Sequence, residues 1–401
     1  MNILFLSVST FTSVKERGIY SDLMRELRSR GHKIYIAAPA ERRYGMPTTL
    51  IKEENVEILK IWTFNIQKTN LIEKGMGTLL IEYQFDRAIR RYWGDVNFNL
   101  VLYATPTITF NNVVDRVKKR CGSRSYLMLK DIFPQNAVDL GMLRKGGLMH
   151  SFFRRKERKL YRISDRIGCM SPANCRYVIE HNPEVDARKV ELCPNSVEPV
   201  ACEPQDAASR AKLLGKYGIP ADKTLYIYGG NLGKPQGLDF LLDVVAANES
   251  SKIRHIVIVG NGTEYPRMRR WMDEHRPTHA TLLSALDKAD YDNLVKACHV
   301  GMIFLDPRFT IPNYPSRLLS YLENSMPVLM ATDANTDVGT IAESEGYGLW
   351  SLNGDLPLFM SHMESLKDSH LRNTMGKKGL DYMLANYTAE KAADIIEASL
   401  K

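Results

Sequence analysis

The chain has 401 residues, more than one ordinary domain needs, and its 44% hydrophobic and 25% charged content is that of a globular protein. No apolar run approaches the ~18–20 residues that cross a bilayer. The formal net charge of +8 suits nucleic acid, an anionic membrane surface or a phosphorylated small molecule, but without an RNA-binding aromatic motif, a zinc finger or a basic tail, nucleic acid is not expected.

The opening "MNILFLSVSTF" lacks a basic leader and a small-residue cleavage site, so it reads as a buried strand and not a signal peptide. Within it, "NILFLSV" (2–8) is a continuous apolar run, as in a parallel strand covered on both faces. A polar loop, Ser9–Arg17, leads to the helix "GIYSDLMRELRSRGH". There Ile19, Leu23, Met24 and Leu27 recur at helical spacing and Gly31 marks the end. "KIYIAAP" is the second strand; "VEILKIW", "LVLYAT", "SYLMLKD", "RIGCMS" and "KVELCPNSV" continue the series. The densest basic segment is "SFFRRKERKLYRISDR" (151–166), just after the "RK" of 144–145. On a helix, Phe152, Phe153, Leu160 and Ile163 share an apolar side flanked by Arg154, Arg155, Arg158 and Lys159. That pattern suggests contact with an anionic membrane surface; a solvated helix packed by its apolar stripe is the plainer alternative.

The polar, proline-bearing stretch "EPVACEPQDAAS" (198–209) reads as a linker. A second strand–helix series follows at "TLYIYGG", "HIVIVGNG", "ATLLSAL", "VGMIFLD" and "PVLMAT", and the chain ends in helices. The expected architecture is α/β: two Rossmann-like doubly wound domains, 1–197 and 210–375, with helices 376–401 crossing back to the first domain. Ligands of such sheets bind at the carboxyl ends of the strands, so a cleft between two facing domains is the expected site. Six scattered cysteines (Cys121, Cys169, Cys175, Cys193, Cys202, Cys298) form no C-x-x-C pair and no zinc spacing. They read as free thiols of a reducing cytoplasm, and no metal site is expected.

Four segments carry candidate chemistry. "YIYGGNLGKPQGLDFLLDVV" is a strand, a glycine-rich turn and a helix, but neither G-x-G-x-x-G nor a P-loop. Gly229, Gly230 and Gly233 allow close backbone approach on either side of Asn231, a further candidate for the ligand, the helix start favours an anion, and Lys234 is a point charge for phosphate oxygens. No hydroxyl is placed for Mg²⁺ just after the lysine, so a diphosphate neutralised by protein groups is the expected ligand. The bland alternative is a β–α turn with a surface lysine. In "VIVGNGTEY", Gly260 and Gly262 could admit a base or ribose edge. In "NYPSRLLSYLENSMPVLMAT", Pro315 suits a first helical turn and places Ser316 and Arg317 where an anion is favoured. In "MLKDIFPQNAVDLGML", Asp131 ends a strand and could orient an acceptor hydroxyl or act as base. "CPNSVEP", with Asn195 and Ser196, reads as a structural turn.

Taken in order, "GIYSDLMRELRSRGHKIYIAAP", "DRIGCMS", "KVELCPNSV", "YGGNLGKPQGLDFLL", "VIVGNGTEYPRM", "DNLVKACHVGMIFLD" and "YPSRLLSYLENSMPVLMAT" resemble the GT-B glycosyltransferases of family 4 over nearly the whole chain. "KDIFPQNAVDLGML" and "YPSRLLSYL" resemble the bacterial capsule, exopolysaccharide and O-antigen branch, related to N-acetylfucosamine transferases. The resemblance implies metal-independent, retaining transfer of a sugar from a UDP-linked donor, an N-acetylated amino sugar among the options. It implies a lipid-diphosphate-linked saccharide acceptor at the inner membrane face, and a cytoplasmic, peripheral protein. Lys234 and Arg317 would meet the leaving diphosphate. The family's phosphate-loop arginine and lysine fall on Asn231 and Gln236, with Lys234 between them. Its E-x7-E pair falls on Pro312 and Ser320, leaving Ser320 or Glu323 for the donor's ribose, and its N-domain histidine is absent near Asp131. The missing glutamates keep one rival open, an inactive sugar-nucleotide-binding or regulatory protein; a second, a UDP-sugar 2-epimerase, shares the architecture but needs acidic residues near the sugar C2, of which few stand near the loop. A nicotinamide dehydrogenase is disfavoured by the missing G-x-G-x-x-G.

Overall fold

A computed structural model describes residues 1–66, 71–105, 108–201 and 205–400. The chain divides into two units, Met1–Glu198 with Thr388–Lys401, and Pro199–Tyr387.

The first unit is built on one sheet of eight strands: β1 (Asn2–Leu6), β2 (Lys33–Glu41), β3 (Thr49–Glu53), β4 (Val56–Thr63), β5 (Leu100–Ala104), β6 (Arg124–Leu129), β7 (Arg166–Cys169) and β8 (Val190–Leu192). Their order is β3-β4-β2-β1-β5-β6-β7-β8. The apolar runs take the middle: every residue of β5 is buried, and β1 pairs in parallel with β2 and β5. Helices on both faces are what allow such continuous apolar strands. One strand is antiparallel, β3 against β4. It is not among the strands expected from the sequence, because "TLIKE" is only partly buried and edge strands carry charge. Its hairpin turns at Asn55 (φ 56°), a residue type that tolerates the left-handed region.

Helix Ala389–Ala398 packs into this same unit, with Ala392, Ala393 and Ile396 in the core beside Leu23, Met24 and Leu27. Ala389 N–H donates to Val197 O (2.9 Å), Arg30 Nη1 meets Asp394 (2.7 Å) and Glu397 (2.9 Å), and His32 Nε2 meets Glu397 (2.6 Å). Of the terminal helices, Ser369–Asn386 stays with the second unit, so the change of unit falls at Thr388 and not near 376. Cys121, Cys169, Cys175, Cys193 and Cys298 form no disulfide, and Cys202 lies outside the described residues.

Helix Leu148–Ile163 carries the basic segment, and much of its charge is satisfied locally. Arg154 pairs with Glu157 (2.6 Å), Arg158 with Glu184 (3.4 Å) and Lys156 with Glu82 (3.7 Å), while Lys159 donates to Asn112 Oδ1 (2.6 Å). Phe152 and Phe153 are in ring contact at 5.3 Å, and Phe153 meets Phe133 at 5.0 Å. The exposed apolar side chains lie at the start of the helix and just before it: Met142, Leu148 and Met149 are 65%, 92% and 55% exposed. Among the described residues, no helix is long and apolar enough to cross a membrane.

The second unit has six strands: β9 (Thr224–Asn231), β10 (Arg254–Asn261), β11 (Ala280–Leu283), β12 (Val300–Phe304), β13 (Val328–Thr332) and β14 (Gly348–Leu352). All pair in parallel in the order β11-β10-β9-β12-β13-β14. β9 is central, so its carboxyl end opens between the ends of β10 and β12. β14, "GLWSL", is not among the expected strands either: it is a short edge strand that begins on glycine. Helix Ala207–Lys216 begins inside the stretch read as linker, because Asp206 caps it through Ser209 N–H (2.9 Å).

Candidate functional site

β9 ends in "YGGN", and Arg317 reaches it from the short helix Arg317–Glu323. The guanidinium carbon lies 4.4 Å from the centroid of the Tyr228 ring, a cation–π arrangement. Arg317 Nη2 donates to Gln236 Oε1 (2.6 Å), and the Tyr228 hydroxyl lies 3.2 Å from the same oxygen. The Arg317 donor fixes the Gln236 amide oxygen inward, while the Tyr228 hydroxyl, with its single proton, also lies 2.9 Å from Asn231 O. Arg317 Nη1 is buried and has no hydrogen-bond partner. No carboxylate pairs with Arg317 among the described residues. A partly buried guanidinium held by a ring and a neutral amide keeps its full positive charge, with one nitrogen unpartnered.

The 3₁₀ turn Lys234–Gln236 brings Lys234 into the same loop, two positions before the residue that holds Arg317. Lys234 is exposed and has no ion pair among the described residues. Gly230, at φ 120°, is exposed beside the guanidinium; a side chain there would lie 3.8 Å from Arg317 Cζ in a backbone conformation it rarely adopts. Ser316 is exposed immediately before Arg317.

The other predicted loop residues serve packing first. A Cβ at Gly229 would lie 2.2 Å from Tyr291 Oη, and Gly229 N–H donates to Tyr321 Oη (3.2 Å). A Cβ at Gly260 would lie 1.8 Å from Gly230 O, and one at Gly262 would lie 2.1 Å from Leu232 O. These two glycines let the β9 and β10 loops lie backbone against backbone; the space at their α-carbons is filled by the neighbouring loop. Gly233 faces the Asn231 amide, whose nitrogen would lie 2.9 Å from a Cβ at that position, and Asn231 itself is exposed. Leu232 N–H is spent on Asn261 O (2.9 Å), so the loop amides at 229 and 232 are already engaged. Ser320 lies one turn beyond Arg317 and is half-buried. Glu323 is about 9 Å along the helix axis from Arg317. Its Oε1 accepts from Val200 N–H (3.1 Å), which ties the helix to the start of the unit.

In the first unit, Asp131 stands just beyond β6. Its N–H and that of Lys130 both donate to Thr105 Oγ1 (2.8 Å each). Its carboxylate makes no hydrogen bond or ion pair among the described residues, and burial raises it above the usual carboxylate range. The Tyr20 phenol is pushed up by burial and then by the Asp131 charge, which places the two near each other. Burial pushes the Lys130 amine down; its Nζ lies 3.5 Å from Cys193 O. Asn195 and Ser196 line the same small pocket as Tyr20 and Lys130, and Asn195 Oδ1 is buried without a partner. The turn read as structural therefore also presents a polar atom beside this cluster.

Both clusters stand at the carboxyl ends of their own parallel sheets, where doubly wound folds take ligands. Among the described residues, no group of three or more His, Cys, Asp or Glu side chains could hold a metal ion. Sequence reasoning finds Arg317 and Lys234 but assigns no role to Tyr228, and treats Gln236 only as a replaced lysine. Ring stacking between residues so far apart in sequence leaves no periodic signal.

No protein-family model matches the chain. It is 20% identical over 303 residues, 74% of this chain and 72% of the relative, to the probable glycosyltransferase WbjE of Pseudomonas aeruginosa. Among solved structures it is similar to sucrose-phosphate synthase from Thermosynechococcus elongatus, with a TM-score of 0.77, 16% identity and coverage of 99% and 97% of the two chains. It is also similar to a trehalose-6-phosphate protein from E. coli bound with UDP-2-fluoro glucose, with a TM-score of 0.74, 11% identity and coverage of 100% and 99%. The fold is GT-B. Within a GT-B chain the Arg317 cluster lies at the carboxyl end of the second sheet and the Asp131 cluster at that of the first.

Proposed function

We propose that the protein is a retaining glycosyltransferase that moves a sugar, an N-acetylated amino sugar among the candidates, from a UDP-linked donor to a lipid-diphosphate-linked saccharide in bacterial surface polysaccharide synthesis. The observation that carries this reading is Arg317: stacked on Tyr228, held by Gln236, and left with a buried, unpartnered Nη1. The GT-B fold, the curated glycosyltransferase relative and a structural neighbour bound with UDP-2-fluoro glucose support a nucleotide sugar as the anion. As the bond from the sugar's C1 to the diphosphate breaks, negative charge grows on the leaving phosphate. Arg317 and Lys234 meet that charge more strongly in the transition state than in the ground state, which is what accelerates transfer. No metal is required in this scheme, because the two cations supply the charge. Asp131, its carboxylate unspent, orients the acceptor hydroxyl.

The lipid-linked acceptor places the protein at the inner face of the membrane. Its contact there is the apolar tip Met142, Leu148 and Met149, with Arg144, Lys145 and Arg155 beside it for anionic headgroups. The deciding experiment is a thermal-shift screen of UDP- and other nucleotide sugars, followed by a transfer assay with the stabilising donor. Stabilisation by a UDP-sugar that Arg317→Ala abolishes, together with turnover onto a lipid-linked acceptor, is the expected result. Binding without turnover would instead establish a sugar-nucleotide-binding protein.

A further inference from the structure

A groove in the first unit has ligand-binding features that the proposed reaction does not use. It encloses about 410 Å³, within the usual range for small-ligand sites. One wall is the end of β4 and the residue after it: Trp62 and Phe64, rings 5.2 Å apart and 62° inclined. The other wall is helix Leu71–Trp93, which contributes Tyr83, Gln84, Arg87 and Arg91. Residues 84, 87 and 91 recur at the three- and four-residue spacing that puts side chains on one stripe. The helix is already anchored by another stripe, since Ile81, Phe85 and Ile89 are buried. Packing therefore does not explain the polar one.

Three details of the groove call for an occupant. Tyr83 is 59% exposed, a large ring facing water. Gln84 is half-buried in the wall, and its Oε1 has no hydrogen-bond partner. Arg87 and Arg91 are exposed and form no ion pair among the described residues.

We propose that this groove binds a carboxylate-bearing saccharide. A sugar ring offers C–H faces to the Trp62 and Tyr83 rings, hydroxyls to the Gln84 amide, and a carboxylate to Arg87 and Arg91, one turn apart on the helix. An apolar chain would leave both guanidinium charges without a counter-charge, although Arg91 lies over the Tyr92 ring (5.8 Å), and a simple anion would leave the rings bare. The inference does not depend on the donor chemistry of the second unit, and loss of nucleotide binding would leave it standing.

The test is calorimetric titration of the full chain with trigalacturonate, with maltotriose, triglutamate and inorganic phosphate as parallel arms. Saturable binding of trigalacturonate is expected, weakened roughly tenfold or more in the Arg87→Gln/Arg91→Gln double variant, whose melting temperature should stay unchanged because both side chains are exposed. A saturable change in tryptophan fluorescence should disappear in Trp62→Phe. Absence of binding, binding indifferent to the arginine pair, or equal binding of the neutral sugar, the acidic peptide or phosphate would each overturn the proposal.

Discussion

At the scale of single residues, Arg317 and Gln236 form a balance that substitution can tip. Gln236 accepts from the guanidinium without cancelling its charge. Gln236→Glu would supply a carboxylate at the same place, so Arg317 would arrive already neutralised. We expect that variant to fold at least as stably and to bind a UDP-sugar roughly tenfold or more weakly, read by titration calorimetry. In the proposed transfer, Arg317→Ala and Lys234→Ala would each remove a cation from the leaving group, and each should lower turnover by roughly 10²–10³ with the fold intact. Near-normal turnover in Lys234→Ala would remove the lysine from the mechanism. Asp131 makes the opposite demand on stability. Burial raises its pKa in the folded chain, so the folded state keeps a proton that the unfolded state releases. Its ionised form therefore opposes folding, and stability falls as pH rises from the ordinary carboxylate range through the raised value. Asp131→Asn should melt higher than wild type at neutral pH while losing about 10²–10⁴ in transfer. A lower melting temperature would mean that the carboxylate has a partner and a structural role.

At the scale of elements, the strands of both sheets were legible because parallel strands covered on both faces leave continuous apolar runs such as "NILFLSV" and "LVLYAT". Edge strands escape that logic: β3 is half-exposed and β14 opens on glycine, so neither stands out as an apolar block. The glycine loops were located correctly in sequence, but their reason was not legible. Gly260 and Gly262 answer to the backbone of the β9 loop, a contact between segments that spacing alone cannot show. Helix Leu148–Ile163 teaches the same lesson for charge. Its arginines form a basic face in projection, yet Arg154 and Arg158 turn to Glu157 and Glu184. The proposed membrane contact should accordingly depend on the tip. Leu148→Glu/Met149→Glu should abolish co-sedimentation with anionic vesicles, whereas Arg158→Gln should reduce it little. The reverse ranking would return the contact to the helix flank.

At the scale of the whole molecule, the two units should differ in their response to acid, because the second carries three histidines, His255, His299 and His362, whose pKa burial lowers. His255 and His299 are both held down to about 4. For each, burial is the leading cause, and His255 gains a further push from His279 while His299 gains one from Arg210. The hydrogen bonds agree with the neutral form: His299 Nδ1 accepts from Leu225 N–H (2.9 Å), and His255 Nε2 meets Thr281 Oγ1 (2.8 Å). Above the unfolded value near 6.5 neither state binds the proton, so the histidines leave stability unchanged. As pH falls from there toward 4, the unfolded chain takes up protons that the folded unit refuses, and stability is lost at about 1.4 kcal/mol per pH unit for each histidine. Calorimetry across that window should show the transition of Pro199–Tyr387 moving to lower temperature as acid is added. His299→Asn, which keeps an acceptor near Nδ1, and His255→Gln, which keeps a polar atom near Nε2, should flatten the slope even if they lower stability at neutral pH. A transition that moves as steeply in the double variant as in wild type would assign the acid sensitivity to other groups, His362 or carboxylates, since His255 and His299 would then be silent.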